Sequence, residues 1–220
     1  TGRGKSNLTS CILWKALEHD YTGILVLDPH DEYYGRNKVC LKDHKNSDKV
    51  IYYTSFNVPS GCRTLKINLS KLRPQHFRGA ANFTDAQNDA IYTYYKKFRA
   101  SWVKKILVGE EIMLNGRALI NEATLNVLRR KFMSLLNVNV VDDDIVCRGI
   151  FDEVAGESTI EDICNALEQA KVVIVDTSNF GGNVEILIGS MISNEVFSRY
   201  KRYKLKGSLD DKPIISVLLE

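Results

Sequence analysis

Short apolar strands alternating with amphipathic helices predict an α/β fold built on a parallel sheet. Two further observations agree. A glycine-rich loop opens the first helix, and several strands end in a carboxylate.

The elements follow in chain order. Residues 6–18 place Leu8, Ile12, Leu13, Ala16 and Leu17 three and four apart, which predicts a helix with one buried face. Gly23 then opens Ile24-Leu25-Val26-Leu27-Asp28, closed by Pro29; a short continuous apolar run suits a strand buried on both faces. Lys49–Thr54 and Thr64–Leu69 read as two more strands. From about 74 to 136 the spacing turns helical, and this block reads as a helical insertion beside the sheet. Residues 137–157, polar and acidic with Asp142-Asp143-Asp144, read as a loop. Ser158 with Glu161 three residues on is a capping box opening a helix over 158–169. Lys171–Asp176 is a further buried strand, 184–206 a long amphipathic helix with a basic end, and 213–220 a final strand.

Composition narrows the function classes. At 44% hydrophobic and 26% charged over 220 residues the chain can bury a sizeable core, which excludes collagen and extended disorder. Thirty basic against 27 acidic side chains is too small an excess to establish a nucleic-acid partner. The five cysteines are odd in number and none pair at CxxC spacing, against a cysteine-pair zinc site or a secreted disulfide framework and for reduced thiols in the cytoplasm. No apolar run approaches the length of a membrane span, and no signal peptide is expected. Residue 1 already lies inside a motif and the last strand stops without a cap, so the sequence reads as an internal piece, lacking the first strand and the strands after 220 and leaving the final strand without a proper partner.

Thr1-Gly2-Arg3-Gly4-Lys5-Ser6 is the second half of a G-x-x-x-x-G-K-[ST] loop, whose first glycine would fall two positions before Thr1. Glycines let backbone N–H groups face phosphate oxygens. The amine of Lys5 would reach the β- and γ-phosphates, the hydroxyl of Ser6 would bind Mg²⁺, and the helix N-terminus favours the anion. Thr1 through Asn7 are therefore the expected ATP-binding residues. Ligands of open α/β sheets collect at the carboxyl ends of the strands. Three acids stand there: Asp28, Asp176 and Glu220. Glu220 is the expected Mg²⁺-side acid, whereas Asp176 reads more readily as a turn or cap residue.

The motif string TGRGKSN, ILVLDPHDEYYGR (24–36), KVVIVDTSNF (171–180) and KPIISVLLE (212–220) resembles the HerA helicase family, relatives of FtsK and of the conjugation ATPases. The resemblance implies a RecA-like P-loop ATPase core with ATP and Mg²⁺. It implies a homo-hexameric ring that pumps double-stranded DNA and works with a NurA-type nuclease in DNA-end processing. Glu32 joins Lys5 and Glu220 as an expected catalytic residue. The family pattern D-P-H-G-E-Y reads Asp28-Pro29-His30-Asp31-Glu32-Tyr33 here; Asp31 in place of glycine implies a slightly different turn. Two other readings stand beside this one: a conjugation- or secretion-type P-loop ATPase, and a scaffold that binds nucleotide without hydrolysis.

His30 is expected to make a supporting hydrogen bond near the phosphates, while His19, His44 and His76 read as surface residues. Arg199, Lys201, Arg202, Lys204 and Lys206, interleaved with Tyr200 and Tyr203, read as a solvated helix end rather than a DNA-facing stripe.

Overall fold

The computed structural model describes residues 4–219. The elements in order are α1 (Lys5–Ala16), β1 (Thr22–Asp28), β2 (Val50–Thr54), β3 (Arg63–Thr64) and β4 (Ile67–Asn68). Then come α2 (Asp85–Phe98), α3 (Trp102–Val108), β5 (Met113–Leu114), β6 (Arg117–Ala118) and α4 (Glu122–Leu136). The chain closes with β7 (Val138–Val141), β8 (Asp144–Cys147), β9 (Phe151–Asp152), α5 (Thr159–Leu167), β10 (Val172–Asp176), α6 (Gly182–Lys206) and β11 (Ile214–Leu219). They form two compact units. One takes the chain up to Leu65 with Ile160–Gly181 and the chain from Ile192; the other takes Lys66–Thr159 and Gly182–Met191.

The first unit holds the predicted sheet: five parallel strands in the order β11-β1-β10-β2-β3. Every residue of β1 and of β10 is buried, as their continuous apolar sequences require. The register sets Asp28 of β1 directly beside Asp176 of β10. Contrary to the sequence reading, the final strand has a partner: β11 runs parallel to β1 from Ile214 opposite Thr22 to Leu219 opposite Leu27. It lies at the edge of the sheet, with Ile214 and Leu219 exposed.

Helix α1 is also less amphipathic than its sequence suggests. Leu13 and Leu17, one turn apart, enter the core beside Ile24, Val26 and Tyr52. Leu8 and Ile12, predicted for that face, are 64% and 55% exposed. Gly23 sits where α5 crosses the sheet: a Cβ there would lie 2.1 Å from the Leu167 carbonyl oxygen and 3.0 Å from Ile215 Cδ1. No rotamer relieves a clash with backbone. Gly23→Ala is therefore expected to cost about 3 kcal/mol, read by urea denaturation; a loss under about 1 kcal/mol would show that α5 can move away from the strand.

In the second unit α2, α3 and α4 surround an aromatic cluster. The rings of Phe77, Trp102 and Phe132 lie 5.0–5.8 Å apart, and the buried indole donates to the Leu72 carbonyl at 2.9 Å. Thr84 and Gln87 cap α2 reciprocally, and Asn121 caps α4. The segment read as a loop over 137–157 contains the hairpin β7–β8. Its two tip residues, Asp142 and Asp143, both have positive φ (50° and 65°), the backbone of a tight two-residue hairpin turn. Acidic residues at the tip masked the short alternation on either side. Asn115-Gly116 turns β5 into β6 in the same way.

Two histidines read as surface residues are buried. His44 accepts a hydrogen bond from the Asn46 amide and meets Trp14 edge-on at 4.6 Å. His76 accepts from the Arg73 amide and caps the short turn Pro74–Phe77. In both, a ring nitrogen serves a nearby backbone N–H, a local contact that residue spacing does not reveal. All five cysteines are free thiols. Among the described residues no helix is long and apolar enough to cross a membrane.

Candidate functional site

Thr1, Gly2 and Arg3 lie outside the described residues, as does Glu220. From Gly4 on, the loop passes directly into α1. Gly4 is the N-cap in a left-handed conformation (φ 73°, ψ 12°), which costs glycine little. Gly4 offers no side chain to cap this helix end, and the first turn holds no acid. Helix N–H groups that lack a capping side chain, together with the positive pole of the dipole, suit a phosphate. Lys5 and Asn7 are exposed there, and Ser6 is half-buried. Helix α1 and β1 pack against each other through Leu13, Leu17, Ile24 and Val26 and are joined by a short connection. They run in opposite directions, so the start of α1 faces the end of the sheet that carries Asp28 and Asp176.

Asp28 is completely buried and organises the turn after β1. Its Oδ1 accepts the amides of His30 and Glu32 at 3.2 and 3.1 Å, and its Oδ2 accepts that of Tyr33 at 3.0 Å. Burial raises its pKa above the usual carboxylate value, against the lowering effect of those three donors. Asp31, in the glycine position, has a left-handed backbone (φ 52°), a conformation that aspartate tolerates better than most residues. Its side chain then gains partners that glycine could not have: Oδ1 accepts from the Tyr52 hydroxyl at 2.6 Å, and Oδ2 lies 2.9 Å from Arg36 Nε.

Arg36 extends this cluster to Asp176. Its Nη2 donates to Tyr52 OH at 2.8 Å and Thr54 Oγ1 at 3.1 Å, and lies 3.5 Å from Asp176 Oδ2. A consistent proton order follows. Tyr52 accepts from Arg36 and gives its own proton to Asp31; Thr54 accepts from Arg36 and donates to Asp176 Oδ2 at 2.7 Å. Burial and the neighbouring Asp31 push the Tyr52 phenol well above its ordinary pKa, so it keeps that proton. Asp176 Oδ1 accepts both the amide and the hydroxyl of Ser178. The oxygens of Asp28 and Asp176 are therefore committed to holding strand ends and turns in place.

Two oxygens on this edge are different. Among the described residues, Glu32 Oε2 and Thr177 Oγ1 are shielded from solvent and have no hydrogen-bond partner. Both residues are tethered to Asp28, Glu32 through its backbone N–H to the carboxylate and Thr177 through a backbone N–H that donates to the Asp28 carbonyl at 3.0 Å. A buried oxygen without a partner costs stability, and such atoms concentrate where a ligand or water will meet them. His30 is exposed, with its amide on Asp28. Among the described residues no cluster of three or more His, Cys, Asp or Glu side chains could hold a metal ion.

Sequence reasoning brought Asp28, Glu32 and Asp176 to this edge but missed Arg36, Tyr52, Thr54 and Thr177. Arg36 and Thr177 lie within the quoted motif strings, yet nothing in their spacing signals their partners. The basic string at the end of α6 divides by helical phase. Arg199 is buried against Glu195, Glu168 and Asn165, Tyr203 donates to Glu168, and Tyr200 donates to the Pro213 carbonyl. Lys201, Arg202, Lys204 and Lys206 are exposed.

Comparison with known proteins agrees with this architecture. No curated protein matches the chain. The family profile described as "Helicase HerA, central domain" matches residues 1–196, most of the length. With a five-stranded parallel sheet, helices and a GKS sequence opening the first helix, the domain is an α/β, RecA-like P-loop ATPase core. The chain belongs to the HerA helicase family.

Proposed function

We propose that this domain hydrolyses ATP to drive movement along double-stranded DNA, working as a homo-hexameric ring. The observation that carries the reading is the family match, which spans both the GKS helix start and the strands that end in Asp28 and Asp176. The N-terminus of α1 suits a nucleotide, since Gly4 is left-handed and makes no side-chain cap, and the first turn holds no acid. Thr1 through Asn7 hold the phosphates, with Lys5 on the β- and γ-oxygens. Ser6 and Glu220 hold Mg²⁺, which supplies charge neutralisation at the transferred phosphoryl group. Glu32 orients the attacking water with its unpartnered oxygen; Asp28 fixes the turn that presents it, and Asp176 fixes the neighbouring strand end. His30 supports the phosphates from the same turn. Action with a NurA-type nuclease in DNA-end processing completes the reading, on the strength of the family.

Two experiments test parts of it. Ser6→Ala should lower Mg²⁺-dependent turnover by about a hundredfold while ADP binding changes little, because the backbone cradle survives. An equal fall in affinity would remove Ser6 from the metal site. Affinity for duplex DNA should fall steeply between about 50 and 200 mM salt and depend little on sequence, as phosphate contacts require. A strong base preference at physiological salt points to another kind of protein.

A further inference from the structure

Arg36 belongs to no phosphate-binding motif, yet six polar groups surround its guanidinium. Nε pairs with Asp31. Nη1 donates to the carbonyls of Phe56 at 3.2 Å and Asn57 at 3.4 Å. Nη2 reaches Tyr52, Thr54 and Asp176. These partners come from three separate strand ends: the turn after β1, the end of β2 with its following loop, and the end of β10. Both terminal nitrogens donate to acceptors within the protein, while Nε lies within ion-pair distance of Asp31 without a hydrogen bond, so the fork of the guanidinium is spent on these strand ends.

The neighbouring backbone explains what this hub does. Asp31 is left-handed, a conformation that is unfavourable for a residue with a Cβ and persists only where its surroundings enforce it. Arg36 and Tyr52 hold the Asp31 carboxylate from one side, and Asp28 holds the amides of Glu32 and Tyr33 from the other. Glu32 is thereby gripped at the residue before it and at its own amide, while its Oε2 stays without a partner. Without Arg36, Asp31 and Asp176 would be left as two carboxylates around one phenol, and the turn could relax and carry Glu32 with it.

We infer that Arg36 is a positioning residue for turnover: resting on the ATPase reading above, it fixes the turn 28–33 so that Glu32 meets the reacting water, and it touches no nucleotide itself. Arg36→Ala should lower kcat by about ten- to a hundredfold, the scale of a small misplacement of a reacting group, with KM for ATP and affinity for ADP within about twofold of wild type. Amide exchange at His30, Glu32 and Tyr33 should speed up in the absence of nucleotide. Arg36→Lys keeps the charge but not the planar fork and should not restore kcat. Tyr52→Phe, which removes one hydroxyl and keeps the stacked ring, should shift kcat and exchange in the same direction by a smaller factor; it carries the test if Arg36→Ala fails to fold. Lys5→Ala separates the two readings. If Lys5→Ala still turns over ATP, the placement of the phosphates at the start of α1, on which this reading rests, falls. If Lys5→Ala is inactive while the Arg36 or Tyr52 variants keep wild-type kcat and amide protection, the positioning role is overturned.

Discussion

Lys5→Ala is expected to abolish ATP turnover, by about a thousandfold or more, and to leave the fold and its melting temperature nearly unchanged. Lys5 is the first residue of α1, exposed, and followed by a helix that buries only Leu13 within its span. Alanine is the best helix former, so the helix start is not weakened, and a surface change of this kind costs within about 0.5 kcal/mol. The loss falls instead on the transition state, where charge builds on the transferred phosphoryl oxygens and an ammonium is aimed at them. The measurement is steady-state hydrolysis beside a thermal melt of the same sample. Turnover within a few-fold of wild type would place the phosphates elsewhere. A collapsed melt with proportionate loss of activity would make Lys5 structural.

The sheet was legible because its signals are local. Ile24–Asp28 and Lys171–Asp176 are too continuously apolar to be anything but central strands, and the strands they form, Thr22–Asp28 and Val172–Asp176, are buried throughout. Their order could not be read, since β1 pairs with β10 across some 145 intervening residues, a contact no local pattern encodes. Helix α1 shows the opposite failure. Its apolar spacing was right, but Leu8 and Ile12 are exposed, because only a narrow stripe of the helix meets the sheet. At the site, the residue types with known chemistry were visible and the residues that hold them were not. Asp31 was seen as a departure from the family pattern and expected to alter the turn. In the structure Asp31 has a left-handed backbone and its carboxylate meets Arg36 and Tyr52. Those contacts depend on β2 and β10 arriving beside the turn, which is tertiary information.

Asp28→Ala is expected to be among the most damaging single changes in the sheet unit. Three backbone amides would lose their acceptor inside the protein, where Asp28 is completely buried. At about 1–3 kcal/mol for each orphaned donor, partly relieved by water or rearrangement, a loss of about 3 kcal/mol is expected, with kcat falling as the Glu32 turn loosens. The pH dependence distinguishes burial from hydrogen bonding. Burial holds the folded pKa of Asp28 above the unfolded value of 3.8. The folded state therefore binds its proton more tightly than the unfolded chain does. That contribution to stability is complete below 3.8 and is lost as pH rises through the folded pKa. Asparagine cannot titrate, so Asp28→Asn isolates the effect: its stability deficit relative to wild type should shrink as pH rises from below 4 towards neutrality, then level off. Denaturation curves of the two proteins across that range give the sign directly. A deficit that grows with pH would mean that the three amides outweigh burial and hold the folded pKa below 3.8, which would make the Asp28 turn a site that stabilises its charge rather than one that tolerates it.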